Sequence, residues 1–350
     1  MKEDRTVDGR KIFFWTIVMI VATLYVGCAE TVKVTRMKPA AIDMAGYNQI
    51  AVAEVTGKNG ASIRTDLEYA LMASGQFEVL DRSNLGYIMR EQALSKSGAV
   101  DEGKAVRTGK MAGSAALVFG NVSRRDYRQQ RTYDDLYCKD EYKRTYFCGK
   151  TTHITGYWNT RVQFKVVDAA TGKILTTRNI PISHKQQVSA RNAVPAIHWD
   201  PGSVSSQLDV QVVQEFMKMI APYRVVERVK LHKDSKLPEL EAGINYSRAG
   251  QWDSAIDQFQ AACEKADAMP GIEPELRARA RYDLGVALGY SGSYEEGIRE
   301  IEKAMRINNE PEYSYEIQKI KIFKQDAERL RRRGGETAPI SGIISVIEAG

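Results

Sequence analysis

The sequence has few of the side chains from which metal centres and catalytic sites are built. Its 350 residues include four cysteines and four histidines. The histidines are scattered without the short spacing that zinc ligands share, at His153, His184, His198 and His232. We therefore expect neither a metal centre nor a cofactor.

Catalytic motifs are also missing. The chain has neither G-x-S-x-G nor H-E-x-x-H, and no serine or cysteine has a plausible histidine partner in the sequence. Residues 98–105 have the G-x-x-x-x-G-K spacing of a phosphate-binding loop. However, Ala105 stands at the position where a serine or threonine would bind magnesium. Asp101 and Glu102 would repel phosphate, and the preceding segment has a helical pattern. The sequence predicts a protein that is not an enzyme.

Long blocks of a single charge are absent as well. The chain has 50 basic and 44 acidic residues, which are interspersed and give a formal net charge of +6. This mixture argues against nucleic-acid binding, which favours clustered basic residues. Hydrophobic residues make up 43% of the chain, which suits the cores of two ordinary globular domains.

The amino terminus does contain a recognisable signal. Residues 12–26 carry no charge, and a helix of that length spans about 22 Å, which is shorter than the ~30 Å hydrocarbon core. Gly27 stands directly before Cys28, with Tyr25 where leucine is usual, and this resembles the lipobox of bacterial lipoproteins. We expect a signal peptide over 1–27 and lipidation of Cys28, with an uncleaved anchor as the alternative.

Either alternative tethers the chain to a membrane outside the cytoplasm. Residues 28–44 would then form a lipid-anchored linker. Ala29 follows the cysteine where aspartate would favour the inner membrane, so we expect the periplasmic side of the outer membrane.

Two of the remaining cysteines are placed to form a disulfide. Cys138 and Cys148 lie ten residues apart, and in an oxidising compartment this spacing favours a bond that closes a small loop. Zinc is the alternative, but the scattered histidines supply no further ligands. Cys263 lies in an amphipathic helical pattern and is expected to be a small buried hydrophobic residue.

Residues 45–231 alternate between strand and helix patterns. Residues 62–75, for example, place apolar side chains at helical spacing before a closing glycine. A later strand pattern has apolar residues at every second position, at Val162, Phe164 and Val166, which predicts one buried face. We predict an α/β domain in which helices pack on a mixed sheet.

Residues 77–122 carry a resemblance to a known family. The segment has a Val-x-x-Arg element, a Glu-Gln pair before a leucine, and spaced glycines, at Val79, Arg82, Glu91, Gln92, Leu94, Gly98, Gly109, Gly113 and Gly120. This pattern resembles the curli assembly/transport component family, the CsgG-like lipoproteins, over roughly residues 45–230. The chain differs from the family pattern at Ser114 and Ala115, where Ala-Asp is usual.

The resemblance implies more than one possible role. Some members of the family are outer-membrane secretion pores whose subunits contribute membrane strands, and others resemble lipoprotein activators of cell-wall synthases. Lipid-facing strands need an alternating apolar face. In the predicted insertion at 123–150 neither register has an apolar face. One register carries Arg124, Asp126, Arg128 and Gln130, and the other carries Ser123, Arg125, Tyr127 and Gln129. We predict a solvated hairpin that is either a protein interface or a simple surface loop.

Residues 236–334 have a helical pattern that contains two related segments. Their spacing of small and aromatic residues resembles tetratricopeptide repeats, in which small residues allow helices to cross closely. The residues expected to form the repeat packing are Gly243, Tyr246, Trp252, Ala255, Phe259, Gly285, Tyr294 and Ala304. Such arrays commonly bind other proteins, and helical packing without a ligand is the alternative. A tail over 335–350 follows.

Together these patterns predict a lipid-anchored envelope protein that acts as a non-enzymatic assembly or scaffold factor. The expected partners are the membrane, through the lipid, and other envelope proteins, through the repeat module and the hairpin. A homo-oligomer is compatible with the sequence, and nucleic acid is not an expected partner. A secretion-pore subunit and an activator of a cell-wall synthase stay open as alternatives.

Overall fold

The computed structural model describes residues 28–81, 115–334 and 344–345. The predicted signal peptide, and most of the 77–122 segment that carries the family resemblance, lie outside these residues. The chain divides into two compact units. We call residues 40–223 the α/β unit, and residues 1–39 together with 224–350 the helical unit.

The α/β unit contains a five-stranded sheet with strand order β3-β2-β4-β5-β6. Strand β2 pairs in parallel with β3 and β4, while β4, β5 and β6 are antiparallel to one another. The strands and helices of this unit are β2 (Gln49–Gly57), α1 (Gly60–Ser74), β3 (Glu78–Val79), β4 (Ala115–Lys139), β5 (Thr145–Asp168), β6 (Ile174–Arg191) and α2 (Pro201–Ile220).

The core of this unit lies between the sheet and helices α1 and α2. Helix α1 contributes Leu67 and helix α2 contributes Phe216, whose ring lies 4.4 Å from that of Phe164 on β5. The alternation of Val162, Phe164 and Val166 produces the buried strand face that the sequence predicts, because successive side chains point to opposite sides of a strand.

In its described residues, the helical unit combines a small sheet with five helices. Its elements are β1 (Cys28–Lys38), β7 (Tyr223–Lys233), α3 (Pro238–Arg248), α4 (Trp252–Ala268), α5 (Pro274–Ser291), α6 (Tyr294–Ile307), α7 (Pro311–Gly334) and β8 (Ile344–Ser345). The sheet order is β7-β1-β8. The fold class predicted from the sequence, a mixed α/β sheet followed by helices, is confirmed.

The structure differs from the sequence prediction at both ends of the α/β region. Residues 28–44 were expected to form a linker, but Cys28–Lys38 form β1 and belong to the helical unit. At the other end, the predicted α/β domain ends at residue 231, yet β7 belongs to the helical unit and continues through the buried His232 to Lys233. The reason in both cases is that β1 and β7 pair with each other, and local sequence patterns carry no signal for a partner that distant.

None of the helices in the described part of the chain has the length and hydrophobicity needed to cross a membrane.

Candidate functional site

A groove lies between three helices of the helical unit. Its volume is about 540 Å³. Its floor is apolar and its sides are charged, with lining side chains from α4 (Ile256, Gln260, Cys263, Glu264, Asp267), α5 (Arg281, Leu284, Leu288) and α6 (Glu296, Arg299, Glu300, Lys303). Most of the lining side chains are polar or charged and a few are apolar, and a concave surface of this mixed character can bind a ligand, so we define this groove as the first candidate site.

Arg281 joins the two sides of the groove. Its Nη2 lies 2.5 Å from Asp267 Oδ2 on α4, and its Nη1 lies 3.2 Å from Glu300 Oε2 on α6. Lys303 also contacts Glu300, at 2.6 Å. The charges are therefore largely balanced within the groove, which makes it suited to a polypeptide with mixed polar and apolar side chains rather than to a strongly charged ligand.

Cys263 lies in the floor of the groove but has no chemical role there. Burial raises the pKa of its thiol to about 12. Because the thiolate is the nucleophilic form of cysteine, a thiol with so high a pKa is unreactive at neutral pH. Cys263 is a packing residue, as the sequence predicts.

Close helix crossings position the walls of the groove. A Cβ atom added at Gly243 would lie 2.5 Å from the ring of Phe259, and one added at Gly285 would lie 2.6 Å from Ile301 Cγ1. Most of the residues expected to form the repeat packing are buried: Gly243, Trp252, Ala255, Phe259, Gly285, Tyr294 and Ala304.

Tyr246 differs from these residues in its exposure, and its role in the repeat packing stays a prediction. Its side chain is 38% exposed. The buried face of α3 is formed by Leu240, Gly243, Ile244 and Ser247. Tyr246 lies beside this face rather than on it, because three residues of helix turn it away from Gly243 by about 60°.

A second candidate surface is an extension of the sheet of the α/β unit. Strand β2 pairs with β4 only as far as Val122, and beyond that point β4, β5 and β6 continue as three strands. We call this extension, residues 124–139, 145–160 and 182–191, the ribbon. It is larger than the predicted hairpin at 123–150, because β6 forms its third strand.

One face of the ribbon is polar. The strand register places Arg128, Tyr157 and Lys185 side by side on this face. The guanidinium of Arg128 lies 5.2 Å from the ring of Tyr157, and the ammonium of Lys185 lies 5.8 Å from the same ring. The cations thus stack on the aromatic ring and leave this face without an apolar stripe.

The opposite face of the ribbon is covered by the chain that follows β6. Trp199 packs edge-on against Trp158, and its Nε1 donates to the hydroxyl of Tyr127 at 3.1 Å. Trp158 Nε1 donates to the carbonyl oxygen of Pro201 at 3.2 Å. With Ile154, these residues form a small core separate from the main one. Ile154, Trp158 and Trp199 on this face are therefore buried within the protein.

The tip of the ribbon is fixed by covalent and polar links. Cys138 and Cys148 form a disulfide with a Cα–Cα distance of 5.7 Å. In the turn, Asp140 Oδ1 accepts from the backbone N–H groups of Tyr142 and Arg144 at 2.9 and 2.8 Å. Several aromatic side chains of the tip are more than half exposed: Tyr133, Tyr137, Tyr142, Tyr146 and Phe147. A rigid tip with exposed aromatic residues loses little conformational entropy when it binds a partner.

The structure also brings together a serine, a histidine and an aspartate that are far apart in the sequence. On the polar face of the ribbon, His153 Nδ1 lies 2.6 Å from Ser189 Oγ, and His153 Nε2 lies 3.0 Å from Asp134 Oδ2. Sequence spacing gave no sign of this row, because the three residues lie on three different strands. Asp134 is 75% exposed, and the Gln187 amide lies 3.1 Å from the same Nδ1 as the serine. The row is therefore a cross-strand polar cluster that lacks the enclosed geometry of a catalytic triad.

Comparison with known proteins gives one family match. Residues 27–134 match the family described as "Curli production assembly/transport component CsgG". This segment includes β1, β2, α1 and β3 and extends through most of β4. No curated protein matches the chain significantly.

Solved structures with related folds are distant. A PelC dodecamer from Paraburkholderia phytofirmans is 12% identical, with a TM-score of 0.24, and the alignment covers 56% of this chain and 97% of that one. Lipoprotein GNA1162 from Neisseria meningitidis is 13% identical, with a TM-score of 0.19 and coverages of 51% and 98%. These TM-scores are too low for the properties of those proteins to be transferred. The family match alone shows that the chain resembles the CsgG family, over residues 27–134.

Proposed function

We propose that this protein is a lipid-anchored component of the bacterial cell envelope that acts as a non-enzymatic assembly or scaffold factor. The observation that carries the proposal is the match of residues 27–134 to a family of assembly and transport components. The cysteine that would bear the lipid, Cys28, is the second residue of this matched region. Anchoring at the periplasmic side of the outer membrane, through Cys28, is part of the proposal.

Two surfaces support a role in binding other proteins. The groove between α4, α5 and α6, whose architecture resembles tetratricopeptide repeats, offers an apolar floor between charged sides. The ribbon offers a rigid tip whose exposed Tyr142 and Phe147 belong to a residue class enriched at interfaces. Each surface would bind a different envelope protein.

A pore subunit is the second candidate, since the matched family also includes transport components. The ribbon argues against it. One of its faces carries Arg128 and Lys185, and the other is covered by Trp199 and its neighbours. Exposing Arg or Lys to the centre of a bilayer costs about 2–4 kcal/mol per residue. Apart from the exposed aromatic side chains of its tip, the ribbon offers no uncovered apolar face to lipid.

The test compares the two candidates directly. The full-length lipidated protein is purified, and its conductance is measured in planar bilayers. We expect no discrete channel steps and unchanged membrane attachment after deletion of residues 124–149. Reproducible steps that disappear with this deletion would establish the pore and reject the scaffold.

Capture from cross-linked membranes tests the two binding surfaces. Tyr142→Ser at the tip should abolish capture of one envelope protein, and Lys303→Glu in the groove should abolish capture of another. Lys324→Glu, an exposed charge of α7 outside the groove lining, is the control and should leave both captures intact. Identical capture by all three variants would contradict the proposed surfaces.

A further inference from the structure

The residue proposed to carry the lipid is itself part of a strand of the helical unit. Strand β1 starts at Cys28, so no flexible segment separates that residue from the sheet. A linker over 28–44, as the sequence predicts, would have had a root-mean-square length of roughly 23 Å. Instead, Glu30 lies only about 7 Å along the strand from Cys28, at about 3.3 Å per residue.

Glu30 fixes two other elements close to this point. Its Oε1 lies 2.9 Å from Lys233 Nζ at the end of β7. Its Oε2 contacts the guanidinium of Arg248 at the end of α3. The hydrogen bond from Lys233 is the main reason that the pKa of Glu30 lies below its ordinary value, so the carboxylate is charged at neutral pH. The start of β1, the end of β7 and the last turn of α3 therefore form one patch.

We infer that this patch of the helical unit, formed by Glu30, residues 233–236 and Arg248, lies against the phospholipid headgroups. The inference rests on the proposed lipidation of Cys28. Acyl chains attached to that residue enter the bilayer, and the two-residue distance to Glu30 leaves no room for the patch to stand away from the surface.

The chemistry of the patch fits a headgroup layer. Lys233 and Arg248 are paired with Glu30, and Lys236 Nζ lies 2.6 Å from Glu273 Oε1. Charges of both signs match the phosphate and ammonium groups of phospholipids. Ser235, in the turn between β7 and α3, is exposed within the patch and gives a site for a reporter.

The opposite end of β1 supplies a matched reference. Arg36, eight positions after Cys28, lies 4.2 Å from the ring of Phe323 on α7. The neighbouring Ile322 is 48% exposed. Eight residues of strand correspond to about 26 Å, so a reporter at Ile322 samples the other end of the same sheet.

The experiment measures the distance of each end from the membrane. Full-length lipidated protein is reconstituted into vesicles of phosphatidylethanolamine and phosphatidylglycerol that contain a phospholipid with a nitroxide on its headgroup. Tryptophan is introduced by Ser235→Trp or by Ile322→Trp, and the fluorescence of the unsubstituted protein is subtracted. Mass spectrometry of the same samples reports whether Cys28 is acylated.

We expect the nitroxide to quench the added tryptophan fluorescence of Ser235→Trp at least about twofold more strongly than that of Ile322→Trp. The reason is that residue 235 would lie at the level of the headgroups. Equal quenching in a protein with acylated Cys28 would overturn this inference and leave the proposed anchor intact. An unmodified Cys28 would overturn the proposed anchor and this inference together.

Discussion

Arg36 Nη1 donates to Asp326 Oδ2 at 2.8 Å, which joins β1 to α7 although 290 residues separate the two side chains. Both are buried, and Glu227 on β7 accepts from Arg36 Nε at 3.2 Å. Removal of one partner from a buried ion pair costs about 3–5 kcal/mol, because the other charge is left without compensation. We predict that Arg36→Met lowers the free energy of unfolding of the helical unit by that amount.

Urea unfolding followed by far-UV circular dichroism measures this change. The control is Arg299→Ala, which removes one side of an exposed pair with Glu296 at 3.8 Å and should cost less than about 1 kcal/mol. A double variant, Arg36→Met with Asp326→Leu, should recover part of the loss. Equal effects of Arg36→Met and Arg299→Ala would contradict the prediction.

A second prediction concerns pH. His232 is buried between two carboxylates, with Nδ1 3.1 Å from Asp283 Oδ1 and Nε2 3.2 Å from Glu312 Oε1. Burial lowers the pKa of His232, but the carboxylates outweigh burial and raise the pKa above its ordinary 6.5. Protonated His232 therefore stabilises the folded helical unit below pH 6.5, and this contribution is lost as the pH rises through the folded-state pKa.

The measurement is the free energy of unfolding of the helical unit from about pH 6 to about pH 9, a range chosen to bracket histidine titration. We expect stability to fall as the pH rises, and His232→Gln to flatten this dependence. His184→Gln, on the exposed ribbon, is the control and should leave it unchanged. A steeper pH dependence in His232→Gln would show that the sign of the argument is wrong.

The third prediction concerns the thiols. Protein taken from the envelope should react with iodoacetamide at no residue from 29 to 350 while it is folded. After denaturation Cys263 alone should react, and after reduction Cys138 and Cys148 should react as well. The physical reasons are the burial that raises the pKa of Cys263 to about 12 and the disulfide at the ribbon tip.

Peptide mapping of the alkylated protein identifies which cysteines have reacted. Alkylation of Cys138 or Cys148 without reduction would contradict it. A disulfide that closes so small a loop contributes about 2–3 kcal/mol to the stability of the folded tip, mostly by restricting the unfolded state. Replacing both cysteines with serine should therefore accelerate tryptic cleavage at Lys139 and Lys143.

The fourth prediction tests the close crossing of α5 and α6. A Cβ atom at Gly285 would lie 2.7 Å from the carbonyl oxygen of Gly297, which is backbone and cannot rotate away. Overpacking of this kind typically costs about 1–3 kcal/mol. We expect Gly285→Ala to lower the melting temperature, measured by circular dichroism, while Gln318→Ala on the exposed side of α7 does not. No change in Gly285→Ala would mean that the helices can separate freely.

The sequence was informative where structure depends on local patterns. Alternation at Val162, Phe164 and Val166 predicted a one-sided strand, and glycine spacing predicted close helix crossings at Gly243 and Gly285. The sequence was uninformative where the secondary structure of a residue depends on a partner that is distant in the chain. No local feature of residues 28–38 shows that they pair with β7.

The same limit applies to the candidate surfaces. The serine, histidine and aspartate row on the ribbon depends on the register of three long strands, which a one-residue shift would destroy. The cover over Trp158 depends on Trp199, which follows the strands in sequence and returns across them. The alternation of residues predicted a polar hairpin, but only the pairing of all three strands shows which side chains Trp199 covers.

The division of the helical unit between the two ends of the chain sets the order in which the protein can mature. During synthesis β1 appears first, but its neighbour β7 follows almost 200 residues later, and Asp326 later still. The α/β unit between them is complete by then, since its residues are continuous in the chain. Contacts that close long loops form late. A chain that stops before residue 326 leaves Arg36 without Asp326, so the helical unit closes only after α7 has been synthesised.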